Sequence, residues 1–249
     1  MIQTYLYKMP EDAPRFQSRR PPAEPERLDI SILYEDDSLM AIDKAPGMVV
    51  HPTYRNWSGT LLNGVLWHLR GRAGVSPHII TRLDKDTSGV VLIALTPEIH
   101  AHVQRDAAAG RVRKEYLALV RGTPAPPRGS ITLPLGRSPE DRRRVVVTPA
   151  GQDSHTEYEV LSSSNGHSVI RCELLTGRTH QIRVHLAARG WPIVGDRVYG
   201  DPDAAVARQA LHAWRLSLPH PVTRTALQLV AAVPEDLRAL LGGLSYGDG

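Results

Sequence analysis

The run VVLIAL at residues 90–95 is six apolar residues long, with Thr87, Ser88 and Gly89 before it and Thr96 and Pro97 after it. Six residues are too few for a typical helix, and Val90, Val91 and Ile93 are β-branched, so the run predicts a buried strand. Other strands are expected on either side of it in sequence. DISILYE and LMAIDKA read as two short strands joined at Asp36, Asp37 and Ser38. KEYLALVRG alternates, and TEYEVL and SVIRCELL flank an SSSNG turn as an antiparallel pair. Between these lie helical signals. TLLNGVLWHLR spaces Leu61, Leu62, Val65, Leu66 and Leu69 on one face, with Thr60 as N-cap and Gly71 past the end. PEIHAHVQRDAAA follows Thr96 as cap, with Pro97 at its first position and Gly110 as its stop. THQIRVHLAARG predicts a helix from Thr179 to Gly190, and PEDLRALL a short late one. Residues 122–155 are proline-broken and carry DRRRVVV, which reads as hairpins and loops with an exposed basic run. Strands and helices mix without regular βαβ alternation, so the expected class is α+β with an antiparallel or mixed sheet.

Residues 1–28 contain RRPPAEPER and little apolar periodicity, and are expected to form an extended arm or linker ahead of a domain spanning 29–249. A hydrophobic fraction of 41% and a charged fraction of 22% fit a globular protein with a substantial core. The net charge is +4, with 26 Arg against 4 Lys. Arginine suits phosphate recognition, which makes nucleic acid a partner to test, although genomic base composition produces the same bias. Cys172 is the only cysteine, which excludes an internal disulfide or a cysteine-based zinc site and fits a reducing compartment. No signal-peptide core and no run of membrane-spanning length is present, so a cytoplasmic chain is expected.

The sequence has no P-loop, no G-x-G-x-x-G and no G-x-S-x-G, which removes the usual signals of nucleotide hydrolysis, dinucleotide chemistry and α/β-hydrolase chemistry. His180 and His185 would lie about 140° apart around a helix, unlike a one-face zinc pair, and no metal site is expected. Two charged clusters remain. In RLDKDTSG, an extended backbone puts Arg82, Asp84 and Asp86 on one side. A carboxylate beside a guanidinium stays ionised at neutral pH, the state a nucleophile needs. A tight polar turn built from Asp84, Asp86, Thr87, Ser88 and Gly89 is the commoner explanation of such a stretch. On the later helix, Ile182 and Leu186 are core-facing i, i+4 neighbours, while Arg178, Arg183 and Arg189 add cations. A solvated basic face is again the commoner explanation of those.

Seven stretches occurring in order change this balance: LMAIDKAPGMVVHP, GTLLNGVL, RLDKDTSGVVLIALT, RKEYLALVRG, TEYEVL, TGRTHQIRVHLAARGWPIVGDRVYG and LHAWRLSLPHP. Together they resemble the RluA family of RNA pseudouridine synthases from about residue 29 to 221. The resemblance implies that selected uridines in ribosomal or transfer RNA are isomerised to pseudouridine, without metal or organic cofactor, by a monomer on the pseudouridine synthase fold. Asp84 matches the family's catalytic aspartate and Arg183 the arginine that pairs with it. Tyr116 matches the tyrosine that stacks on the target base. Arg82 matches an arginine filling the space left by the extruded uridine, and Ile182 an apolar residue near that base. Lys114 and Lys44 lie in family motifs, and Arg178 adds a cation beside the helix start for RNA.

Extruding a uridine costs a few kcal/mol. A base–aromatic stack returns about 1 to 3 kcal/mol of it, and Arg142, Arg143 and Arg144 are expected to meet phosphates without regard to sequence. Thr81 replaces the family's usual histidine, Asp43 its common asparagine, and Ala45 the proline after lysine. The first 28 residues are too few for the small N-terminal RNA-binding domain of many relatives. Two other classes compete: an inactive RNA-binding or chaperone protein on the same scaffold, and a nucleoside N-glycosidase, which would release uracil.

Overall fold

The fold is given by a computed structural model that describes residues 22–53, 56–141, 143–200 and 206–241. Most of the expected arm thus lies outside the described residues. Residues 22–30 are neither helix nor strand, yet the Glu26 amide donates to Asn63 O at 3.0 Å and Asn63 Nδ2 to Glu24 O at 2.7 Å.

Two strands follow, β1 (Ser31–Glu35) and β2 (Leu39–Lys44), then helix α1 (Leu61–His68), whose cap Thr60 accepts from the Asn63 amide while Asn63 Oδ1 accepts from the Thr60 amide at 3.0 Å. After β3 (His78–Ile79), the apolar run forms β4 (Ser88–Ala94), all seven residues buried. Thr96 caps α2 (Pro97–Ala108) as expected. Then come β5 (Arg113–Arg121), β6 (Arg128–Ile131), the hairpin of β7 (Leu135–Arg137) and β8 (Val145–Val147), β9 (Thr156–Ser164) and β10 (His167–Leu174). The last elements are α3 (Gln181–Ala188), β11 (Leu211–Pro219), β12 (Ala226–Val230) and α4 (Glu235–Leu241).

Ten of the strands form one sheet in the order β1-β2-β4-β11-β5-β10-β9-β6, with β3 on β4 and β12 on β11. All its pairings are antiparallel except β4 with β11. The mixed sheet and four helices give the α+β class. The continuous apolar character of β4 now has a cause. Val90 and Leu92 join a core with Val103 of α2, whereas Val91 and Ile93 join another with Leu61 and Val65 of α1. A strand covered on both faces has no polar face to alternate with.

The parallel seam between β4 and β11 is only two residues long, Ser88 opposite His212 and Gly89 opposite Ala213. Gly89 has φ +111°, and a Cβ there would stand 2.1 Å from the Ala213 carbonyl oxygen, so only glycine lets the two halves of the sheet close up. His212 is fully buried beside it, and its Nε2 donates to Ala231 O at 3.1 Å while its Nδ1 accepts from the Ser88 hydroxyl at 2.9 Å.

Four expectations need correction. The turn after Arg82 is made by Asp84 to Thr87, closed by the Thr87 amide on Asp84 O at 3.1 Å, because Ser88 and Gly89 already pair in β4. The residue ahead of α3 is His180 at φ +56° rather than Thr179, and it makes no side-chain cap. The Gln181 side chain folds back instead, accepting from the Arg178 amide at 2.9 Å and from the Thr176 hydroxyl at 2.8 Å. Nor is α3 an exposed basic helix: residues 181–186 are all buried, Arg183 among them. The SSSNG turn shortens to Asn165 and Gly166, both at positive φ, because β9 continues through Ser164.

Candidate active site

The site lies at the end of the seam. Leu83 packs against the cores on both sides of it, which fixes the following turn. Two buried cations hold that turn by its carbonyls. Lys44 Nζ donates to Ala45 O at 2.8 Å, Met48 O at 2.9 Å and Lys85 O at 3.0 Å, one acceptor for each ammonium proton. Burial lowers Lys44 to about 8. Arg208 Nη1 donates to Asp86 O at 3.0 Å, and its Nε to Asp236 of α4 at 2.7 Å.

The turn presents Asp84, partly exposed, to α3. Arg183 Nη1 donates to Asp84 Oδ2 at 2.7 Å. The same guanidinium grips Asp196 with Nε at 2.7 Å and Nη2 at 2.9 Å, and Asp196 Oδ1 also accepts from the amides of Val198 and Tyr199 at 2.9 and 3.1 Å. The Arg183 fork is therefore locked on one side by a fully buried carboxylate and offers its remaining edge to Asp84. Burial pushes the Asp196 carboxyl upward, but the bonds from Arg183 outweigh it and hold it below the usual carboxylate range. Burial also works against the charge on Arg183, and the two aspartates more than restore it, raising Arg183. A removable proton on this arginine is excluded, so it serves as a fixed charge.

Asp84 stands where two clefts meet. One, of about 490 Å³, is also lined by Arg82, Lys114, Tyr116, Arg178 and His51. The other, of about 580 Å³, carries Lys85, Arg143, Arg144, Arg197 and Arg208. Tyr116 of β5 is buried, and burial followed by the nearby negative charge of Asp84 raises its phenol, which stays protonated at neutral pH. Burial lowers Lys114 in the same wall. His51 is lowered by burial and then by the charge of Arg82.

The fold thus brings together Asp84, Arg183, Tyr116, Arg82, Arg178 and Lys114, which span 101 positions of sequence from Arg82 to Arg183. Ile182 is 4% exposed and belongs to the core that includes Tyr116 and Leu186, behind the cleft walls rather than on them. Arg143 and Arg144 are exposed before β8, whereas Arg142 lies outside the described residues. The threonine at 81 fills a structural role of its own, accepting from the Leu92 amide at 2.8 Å. The sequence does not single out Asp196, Tyr199, His51, Arg197, Arg208, or His180 as a neighbour of Asp84. The signal for the first two was the GDRVYG end of the long motif. Among the described residues no cluster of His, Cys, Asp or Glu could hold a metal, and no helix is long and apolar enough to cross a membrane.

The fold belongs to a class, that of the RNA pseudouridylate synthases. Human RNA Pseudouridylate Synthase Domain Containing 4 shares the fold with a TM-score of 0.68 and 27% identity, over 85% of this chain and 91% of that one. Residues 38–188 match the family model for RNA pseudouridylate synthase, and the chain belongs to that family. Ribosomal large subunit pseudouridine synthase D of Nitrosomonas europaea is 43% identical over 87% of this chain, and the protein of the same name from Xanthomonas campestris is 40% identical over 89%. The chain spans 65% of the length of the first relative and 71% of the second.

Proposed function

We propose that this chain isomerises uridine in RNA to pseudouridine, with Asp84 as the nucleophile. The observation that carries the reading is the partly exposed carboxylate at the junction of two clefts, held through one oxygen by an arginine that is itself anchored by a buried aspartate. Such a carboxylate is oriented while its Oδ1 stays open to a substrate. The reaction breaks the bond from ribose C1′ to uracil N1, turns the base while it is held, and joins C1′ to C5. The C5 proton is lost and N1 gains one, so no oxidant or cofactor is consumed.

The walls supply what that sequence of steps needs. Tyr116 offers an aromatic ring beside Asp84 for the flipped base. Arg82, exposed at the rim, takes the place that the uridine leaves in the RNA stack, which offsets the cost of flipping. Lys114 and Arg178 in the first cleft, and Arg143, Arg144 and Arg197 in the second, meet phosphates. The names of the bacterial relatives point to large-subunit ribosomal RNA as the first substrate to test.

The test incubates in-vitro-transcribed large-subunit ribosomal RNA, which contains only uridine, with wild-type protein and with Asp84→Asn. Pseudouridine is mapped by carbodiimide primer extension and free uracil is measured. Discrete new pseudouridines are expected with the wild type, and a rate lower by about three orders of magnitude or more with the variant. Uracil release without pseudouridine would identify an N-glycosidase, and undiminished activity of the variant would remove Asp84 from the chemistry.

A further inference from the structure

Asp84 has a second line of contacts, which ends on the basic hairpin. The Val145 amide, at the start of β8, donates to Tyr199 Oη at 2.9 Å. Tyr199 Oη is 2.7 Å from His180 Nδ1, and His180 Nε2 stands 3.8 Å from Asp84 Oδ1. That oxygen is the one Arg183 leaves free, since the guanidinium bonds Oδ2. The hairpin is clamped to the same segment by Arg144 Nη2 on Val198 O at 2.7 Å.

The direction of these bonds follows from the inventory of protons. The Val145 amide can only donate, so the phenol oxygen accepts there and its single proton is free to go to Nδ1. A neutral imidazole that accepts at Nδ1 carries its proton on Nε2, which faces Asp84. Burial supports the neutral ring, lowering His180 against the raising effect of Asp84, and it raises Tyr199, keeping the phenol protonated. The Tyr199 ring also lies edge-on to His180, with centroids 5.5 Å apart, and 5.1 Å from the Arg183 guanidinium carbon. Tyr199 lines neither cleft at Asp84, so it reaches the reaction only through its neighbours.

We propose that Tyr199 is a positioning residue for the isomerisation inferred above, on which this proposal rests: its hydroxyl fixes the His180 ring with Nε2–H turned to the free oxygen of Asp84. At 3.8 Å this is an orienting dipole rather than a hydrogen bond. It holds Oδ1 toward the substrate and links that orientation to the hairpin bearing Arg143 and Arg144.

A double-mutant cycle with Tyr199→Phe, His180→Asn and the pair tests the link. Phenylalanine keeps the ring against Arg183 and loses only the hydroxyl. Asparagine tolerates the left-handed backbone at position 180, φ +56°. Single-turnover rates at saturating RNA are expected to fall about tenfold for Tyr199→Phe with RNA affinity unchanged, and the double variant is expected to be no slower than His180→Asn. An unchanged rate in Tyr199→Phe, a loss of affinity in place of rate, or an equal slowing in the His180→Asn background would each overturn the proposal. The nitrogen-15 shifts of His180 provide a readout that does not depend on activity: the wild type is expected to show the Nε2–H tautomer and Tyr199→Phe to lose its dominance. An Nδ1–H ring in the wild type would reject the positioning role even if the isomerisation stands. A wild type that makes no pseudouridine but shows the Nε2–H ring would reject the isomerisation and, with it, a role for Tyr199 in that reaction.

Discussion

Arginine meets carboxylate in two very different settings in this fold. Along β5, β6, β9 and β10, Arg113 pairs with Glu173 at 2.7 Å, Arg171 with Glu159, and Arg128 with Glu159. The Arg113 and Arg128 side chains are 58% and 78% exposed. At the cleft, Arg183 is 6% exposed and Asp196 1%. Exposed pairs exchange one solvated state for another and are worth about 0 to 1 kcal/mol. A buried guanidinium has given up its water and depends on its two carboxylates. Ion-pair geometry alone therefore does not mark a site. Burial of the cation, together with one carboxylate left open to a cleft, does.

Removing the buried cation tests this contrast most severely. Arg183→Met leaves Asp196 buried without its partner, and urea unfolding is expected to show a loss of about 3 to 5 kcal/mol. Turnover at saturating RNA is expected to fall by more than RNA affinity, because Arg183 touches Asp84 and not the rim. A loss below 1 kcal/mol would mean that the two settings are energetically alike.

A smaller effect separates burial among neutral partners from burial among charges. His212 at the seam is lowered to about 4, chiefly by burial, from an ordinary 6.5. Its folded value lies below its unfolded one, so its contribution is complete above pH 6.5 and is lost as pH falls toward 4, at most about 3 kcal/mol. The fall in unfolding free energy between pH 6.5 and 4 is expected to be shallower in His212→Gln than in the wild type. Parallel curves would show that the ring is protonated without cost. The smallest effect belongs to the exposed ladder: Arg113→Gln is expected to change stability by less than about 1 kcal/mol and to leave turnover unaltered, measured by the same denaturation and single-turnover assays.

Local pattern was a good guide where each element is decided by its own residues. Thr60 and Thr96 cap the helices expected of them, and the run at 90–95 is a strand, because caps and apolar content act over a few residues. It misjudged the start of α3, where His180 at φ +56° stands ahead of the helix without a side-chain cap and the Gln181 side chain ties back to the Arg178 amide. It also took Arg183 for a member of an exposed face, since nothing within one turn of helix reveals a carboxylate 13 positions later in the chain. Asp84 and Arg183 stand out only through resemblance to a family, and Asp196 and Tyr199 lie in the same motif as Arg183 with no local pattern that marks them.

By itself the sequence determined the kind of most elements up to α3, the α+β class and the supply of arginine. These follow from steric limits, short-range hydrogen bonding and apolar periodicity, all of which are written into neighbouring residues. The tertiary structure alone decided which of many aspartates and arginines lost their water together. Desolvation depends on what packs around a group from distant parts of the chain, and that packing made Asp84, Arg183, Asp196 and Tyr199 one connected site.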